Sequence, residues 1–149
     1  MLLALVLGLT FGLPAVAPAE PTDLSGQELT AADLAAGDSV IVVWAPWSPR
    51  CRDVAAPIRA IKAAWGERAG VLTVVFQDRP ERVRRFMEDA DLDVPVFLDS
   101  DGSFAKRHGI ATLPSLLLLR DGEPLYRGPL PVDPVPLVGR HLGPALPLP

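Results

Sequence analysis

The residues able to carry out chemistry are few. The chain of 149 residues has one cysteine, Cys51, and two histidines, His108 and His141. A lone thiol cannot close an intramolecular disulfide, a cysteine zinc cage or an iron–sulfur site. Two histidines are too few for a His-rich metal site, so neither a metal nor a cofactor is expected. Three residues before the thiol stands Ser48, in Ser48-Pro49-Arg50-Cys51. As a nucleophile Ser48 would need a base and an oxyanion site, and no base lies nearby in sequence. Ser followed by Pro is a helix-start pattern, Ser at the N-cap and Pro at the first helical position. Cys51 has two readings. It is a buried thiol packed as a small hydrophobe, or a reactive monothiol that forms mixed disulfides or is oxidised to sulfenic acid.

Regular elements surround this segment. Residues 39–44, Ser39 to Trp44, form a continuous apolar run of strand length, as expected for a strand buried on both faces of a central sheet. After Ser48 the apolar positions Cys51, Val54, Ile58, Ile61 and Trp65 advance by three, four, three and four, which is one helix face. This predicts a helix from Ser48 onward with Cys51 opening its buried stripe. Val71 to Phe76 reads as a strand, and Pro80 to Ala90 as a helix with Val83, Phe86 and Met87 inward. Val94 to Leu98 reads as a short strand, and Ser103 to His108 as a short helix closed by Gly109. Leu116 to Leu119 is a strand, and Asp121-Gly122 turns it into a hairpin with Glu123 to Arg127. Strands alternating with helices and ending in a hairpin give an α/β fold with a central mixed β-sheet flanked by helices.

Composition narrows the function classes. Hydrophobic residues make up 49% and the net charge is -4, so the chain can build a core and lacks a basic footprint for nucleic acid. The Arg82, Arg84, Arg85 group, with Glu81 and Glu88, reads as a solvated helix face. His108 reads as a surface residue at a helix end, and His141 is given no role.

The ends differ from the middle. Residues 1–19 carry an uncharged apolar run and Ala17-Pro18-Ala19, a small-x-small cleavage pattern before Glu20. They read as an export signal, with an uncleaved membrane anchor and a mis-assigned start codon as the alternatives. Residues 20–128 then form one domain, which opens on a short linker (Glu20 to Thr22) and a helical turn capped by Thr30. Residues 129–149 hold 7 prolines and read as an extended surface tail with at most a turn of helix near Leu137 to His141.

Trp44-Ala45-Pro46-Trp47-Ser48-Pro49-Arg50-Cys51, after an apolar strand and opening a helix, resembles the active-site segment of thioredoxin-fold proteins. It is most similar to their exported, TlpA/ResA-like redoxin branch of thiol–disulfide oxidoreductases. His108-Gly109-Ile110-Ala111-Thr112-Leu113-Pro114-Ser115 resembles the stretch that holds the family's cis-proline, at Pro114. The Asp121-Gly122 hairpin and Asp23-Leu24-Ser25-Gly26-Gln27 with its short helix also match, so the likeness spans about Asp23 to Gly128. It implies a thioredoxin-like sandwich. The family motif has two cysteines, W-C-x-x-C; here Ser48 takes the place of the attacking cysteine and Cys51 that of the second. The strand position that is often acidic or polar in the family is Val42. Pro57 follows Cys51 by six residues, where five is usual.

The resemblance and the departure together imply a function. Dithiol exchange needs a thiolate and a second thiol to resolve the mixed disulfide, and a serine hydroxyl supplies neither. The expected protein is an exported thioredoxin-like domain without dithiol activity that binds an extended peptide or a protein partner. Its binding residues would be Trp47, Pro49, Thr112, Leu113 and Pro114, the backbone before Pro114 offering an edge for strand addition. Two alternatives stand beside it: a monothiol redox protein that meets protein thiols or disulfides through Cys51, and a structural subunit of an envelope complex that uses the proline-rich tail. Membrane contact would come only through an uncleaved N-terminal segment.

Overall fold

The computed structural model describes residues 17–143. The apolar run of the expected export signal and residues 144–149 of the tail lie outside them.

Six strands form one sheet: β1 (Thr22–Asp23), β2 (Asp38–Trp44), β3 (Gly70–Phe76), β4 (Val96–Asp99), β5 (Ser115–Arg120) and β6 (Glu123–Pro129). Their order is β1-β4-β3-β2-β5-β6. β2, β3 and β4 are parallel, while β5, β6 and β1 join antiparallel. The sheet is therefore mixed, as expected. β2 lies at its centre, and Val40 to Trp44 are all buried. An all-apolar run is what a strand covered on both faces requires. Val40, Val42 and Trp44 enter one core cluster, and Ile41 and Val43 enter the other. The hairpin from β5 to β6 turns on Asp121 and Gly122, with φ values of 51° and 83°. Both central residues have positive φ, as a type I′ turn demands.

Helices α1 (Ala31–Leu34), α2 (Ala55–Trp65), α3 (Pro80–Asp89), α4 (Ser103–Arg107) and α5 (Val135–Leu142) cover the sheet. α1 begins at a capping box in which the Thr30 hydroxyl accepts from the Asp33 N–H and the Asp33 carboxylate accepts from the Thr30 N–H. α4 is held from below by buried Asp99, whose carboxylate accepts the N–H groups of Phe104 (3.1 Å) and Ala105 (2.9 Å).

Three expectations are revised. The helix does not run from Ser48. Pro49–Cys51 form a 3-10 turn, and α2 starts at Ala55. The reason is Pro57. It has no N–H for the Asp53 carbonyl and its ring would clash there, so it is accommodated only in a helix's first turn. The Glu20 to Thr22 linker is partly strand, because Thr22 and Asp23 pair with Leu98 and Phe97. In the tail, the turn of helix expected near Leu137 to His141 is longer, spanning residues 135 to 142. α5 forms there, and Val138 and Leu142 are buried in the cluster that contains Trp65. Pro134 is its N-cap and Pro136 lies in its first turn, where no N–H is needed.

Candidate functional site

The segment from Trp47 to Cys51 leaves the C-terminal end of β2 at the sheet's centre. Trp47 is 48% exposed yet fixed, because its indole N–H donates to the Phe76 carbonyl (3.2 Å) and its ring lies 6.4 Å from that of Phe76. Phe76 closes β3, the strand beside β2. Both rings line an open groove of about 330 Å³. Ile110, Ala111, Thr112 and Leu113 line it too, and Ser48, Arg50 and Ala105 complete the lining.

Residues 110–113 lie in a loop between α4 and β5. It starts where Gly109, at φ 61°, ends the turn after α4, and the Ile110 N–H bonds back to the Ala105 carbonyl. The next bond recorded along this stretch is made by Thr112, whose carbonyl accepts the Ser115 hydroxyl. No hydrogen bond is seen from the N–H groups of Ala111, Thr112 and Leu113 among the described residues. Ala111 and Thr112 are exposed, so this edge faces solvent. The Leu113–Pro114 peptide bond is cis.

The sequence-derived residues separate into three places. Trp47, Ser48, Thr112 and Leu113 share the groove. Pro114 borders a second groove, of about 300 Å³, with Arg50, Asp53, Pro57 and residues 130–132. Pro49 is exposed and lines neither. Cys51 is 1% exposed and lies in the cluster with Val42, Val54 and Ile58. Its thiol is free of any disulfide and is surrounded by apolar side chains. Ser48 is also buried, and its hydroxyl makes no capping bond. The donor it would have met, the Cys51 N–H, bonds instead to the Ser48 carbonyl (3.0 Å), as a 3-10 turn requires. No base approaches Ser48 by hydrogen bond among the described residues.

Sequence reasoning missed Arg50, Phe76, Ala105, Ile110 and Ala111. Phe76 had a faint signal, an aromatic residue at the exposed end of a strand adjacent to the central one. The others become neighbours only through the fold.

The histidines and the Arg107–Glu20 pair lie outside the groove. The His108 ring packs 4.4 Å from that of Phe104, and burial, then the Arg107 charge, holds its pKa below the ordinary 6.5. His141 stacks on Tyr126 at 5.2 Å. Arg107 donates two hydrogen bonds to Glu20 (2.7 and 2.6 Å), which hold the Glu20 carboxyl below its ordinary 4.5. No group of three or more metal-ligating side chains occurs among the described residues. No helix among them is long and apolar enough to cross a membrane.

Comparison with known proteins gives a consistent result. The Redoxin family model matches residues 12–123. A thiol–disulfide oxidoreductase ResA of Bacillus thuringiensis is 25% identical over 104 residues, which are 68% of this chain and 60% of the relative. The chain thus matches about three fifths of that relative's length. Among solved structures, a putative thioredoxin from Neisseria meningitidis is 30% identical with a TM-score of 0.60, covering 75% of this chain and 77% of the other. A secreted Mycobacterium tuberculosis disulfide oxidoreductase homologous to E. coli DsbE gives a TM-score of 0.65 at 20% identity, covering 78% and 86%, and shows likeness of fold alone. With a family model over most of its length, the mixed sheet of these relatives and Ser48-Pro49-Arg50-Cys51 leaving its central strand, the chain belongs to the redoxin family, as a ResA-like thioredoxin-fold protein with one cysteine in its motif.

Proposed function

We propose that this protein is a peptide- or protein-binding module built on a thiol–disulfide oxidoreductase frame, without dithiol activity of its own. One observation carries the reading: an open groove is lined by Ala111 to Leu113, whose N–H groups are unpaired among the described residues, while the chain's sole thiol is 1% exposed in the core. Strand addition uses such an edge, with main-chain hydrogen bonds for affinity and side-chain pockets for selection. The fixed Trp47–Phe76 pair provides a preorganised apolar surface, which lowers the ordering cost of binding. Burial of Cys51 speaks against the monothiol reading, because exchange needs in-line approach to the sulfur.

We place the module outside the cytoplasm, on the strength of the apolar N-terminal run and the secreted relative. In this reading residues 1–19 are the export signal and residues 20–128 the binding domain, and α5 from the proline-rich segment acts as a brace on α2.

Titration of ¹⁵N-labelled protein with a short, extended, apolar peptide tests the proposal. The indole N–H of Trp47 and the amides of Ala111 to Leu113 should shift together in a saturable way. A spectrum unchanged at millimolar peptide, or shifts confined to other faces, would overturn it.

A further inference from the structure

We infer that the groove selects an extended peptide carrying an acidic side chain, read by Arg50. This deepens the binding reading above and rests on it. Of the residues that line the groove, Arg50 alone is charged; the rest are apolar or hydroxyl-bearing. Arg50 is exposed, and no hydrogen bond or ion pair engages its guanidinium among the described residues. Arg107, Arg120 and Arg127 are engaged, by Glu20, Asp38 and the His108 carbonyl, and the exposed Arg52 and Arg79 do not line the groove.

The nearby acids do not cancel it. Asp53 borders the neighbouring groove with Arg50 but forms no ion pair with it among the described residues. Asp78, two residues past Phe76, accepts from the Arg79 N–H and lies 3.5 Å from Arg82. An apolar trough with one unpaired cation at its rim is complementary to an anion flanked by apolar residues. A guanidinium also offers a planar fork that fits a carboxylate with two parallel hydrogen bonds. Position adds to the argument. Arg50 lines the same groove as Thr112 and Leu113, the backbone edge that would pair with the peptide. A peptide paired with that backbone edge alternates its side chains between groove and solvent. An inward-pointing Glu or Asp would then face Arg50 while its neighbours two residues away enter the apolar ends.

The test uses three fluorescein-labelled heptapeptides that differ only at the centre, Gly-Val-Val-X-Val-Val-Gly with Glu, Gln or Lys at X. Binding is read by anisotropy. A partly exposed charge pair should favour Glu over Gln by about three- to fivefold at low salt. The preference should shrink in 0.5 M salt. Arg50→Gln should abolish it, whereas Arg52→Gln, on an exposed residue outside the groove, should leave it intact. Equal affinity of the Glu and Gln peptides for the wild-type chain would refute the acidic preference and leave peptide binding standing. Failure of all three to bind would remove both. A preference that survived Arg50→Gln in a folded variant would assign the selection to another residue and overturn the inference.

Discussion

Replacing Cys51 by alanine and by serine separates a packed thiol from a working one. Cys51 is 1% exposed and shares its cluster with Val42, Val54 and Ile58. Alanine removes one sulfur atom from an apolar site. The loss is on the scale of a deleted buried methyl group, about 1 kcal/mol. Serine keeps the approximate shape but carries a hydroxyl into the same surroundings. The carbonyl one turn back, that of Ser48, already accepts the residue-51 N–H. A buried hydroxyl without a partner costs roughly 1–3 kcal/mol. The expected order of stability is therefore wild type, then Cys51→Ala, then Cys51→Ser. At about 2–4 °C per kcal/mol for a chain of this size, serine should lower Tm by several degrees more than alanine. Urea denaturation followed by the fluorescence of Trp44, Trp47 and Trp65 gives the same ordering with m unchanged. Peptide binding should survive in Cys51→Ala. A serine variant as stable as the wild type would refute the reasoning, because it would mean the thiol sits in polar, hydrated surroundings.

Other perturbations probe other links of the argument. Ser48→Cys returns the second thiol to the motif; oxidation should remove two hydrogens by intact mass and insulin reduction should appear, and a folded, inactive variant would count against the assignment of these positions. Leu142→Ala should cost about 2–4 kcal/mol by leaving a cavity under α5, whereas an extended tail would make it neutral in thermal denaturation. Arg107→Gln tests the clamp on Glu20. The folded carboxyl titrates below its ordinary 4.5, so its contribution is present above that pH and is lost as pH falls through the folded value. The variant should be less stable than wild type by under about 1 kcal/mol at pH 7, since the pair is partly exposed, and the gap should narrow below 4.5 and close as pH falls through the folded value. A gap that persisted into acid would assign the effect to packing of the arginine stem.

The strands that make the sheet were legible because their environment is uniform. β2 and β5 are buried on both faces, so their sequences show unbroken apolar runs, and Asp121-Gly122 fixes the hairpin between β5 and β6. β1 was not legible. It is two residues long and joins through backbone pairing with β4, which leaves no side-chain pattern. α5 was obscured by its prolines, which forbid a helix interior but suit a helix start; Pro134 and Pro136 are at the start. Pro57 had the opposite effect. The apolar spacing from Cys51 to Trp65 is continuous, and only the missing N–H reveals that α2 begins at Ala55. The site was legible where it carried chemistry and illegible where it carried shape. Ser48, Cys51 and Thr112 to Pro114 stood out through their motif. Phe76, Ala105 and Ile110 are ordinary apolar residues, distant in sequence, that become a groove when β3, α4 and the following loop converge.

The proposed function requires that the chain's cysteine stay in the core, where it cannot exchange with a partner. Alkylation of Cys51 by iodoacetamide, followed by intact mass in native and urea-unfolded protein, is the decisive test of that claim. With the thiol 1% exposed, the native protein should react only through unfolding, about a thousandfold or more slower than the unfolded chain. Native labelling at a rate near that of the unfolded protein would contradict the claim and return Cys51 to the surface as a working thiol.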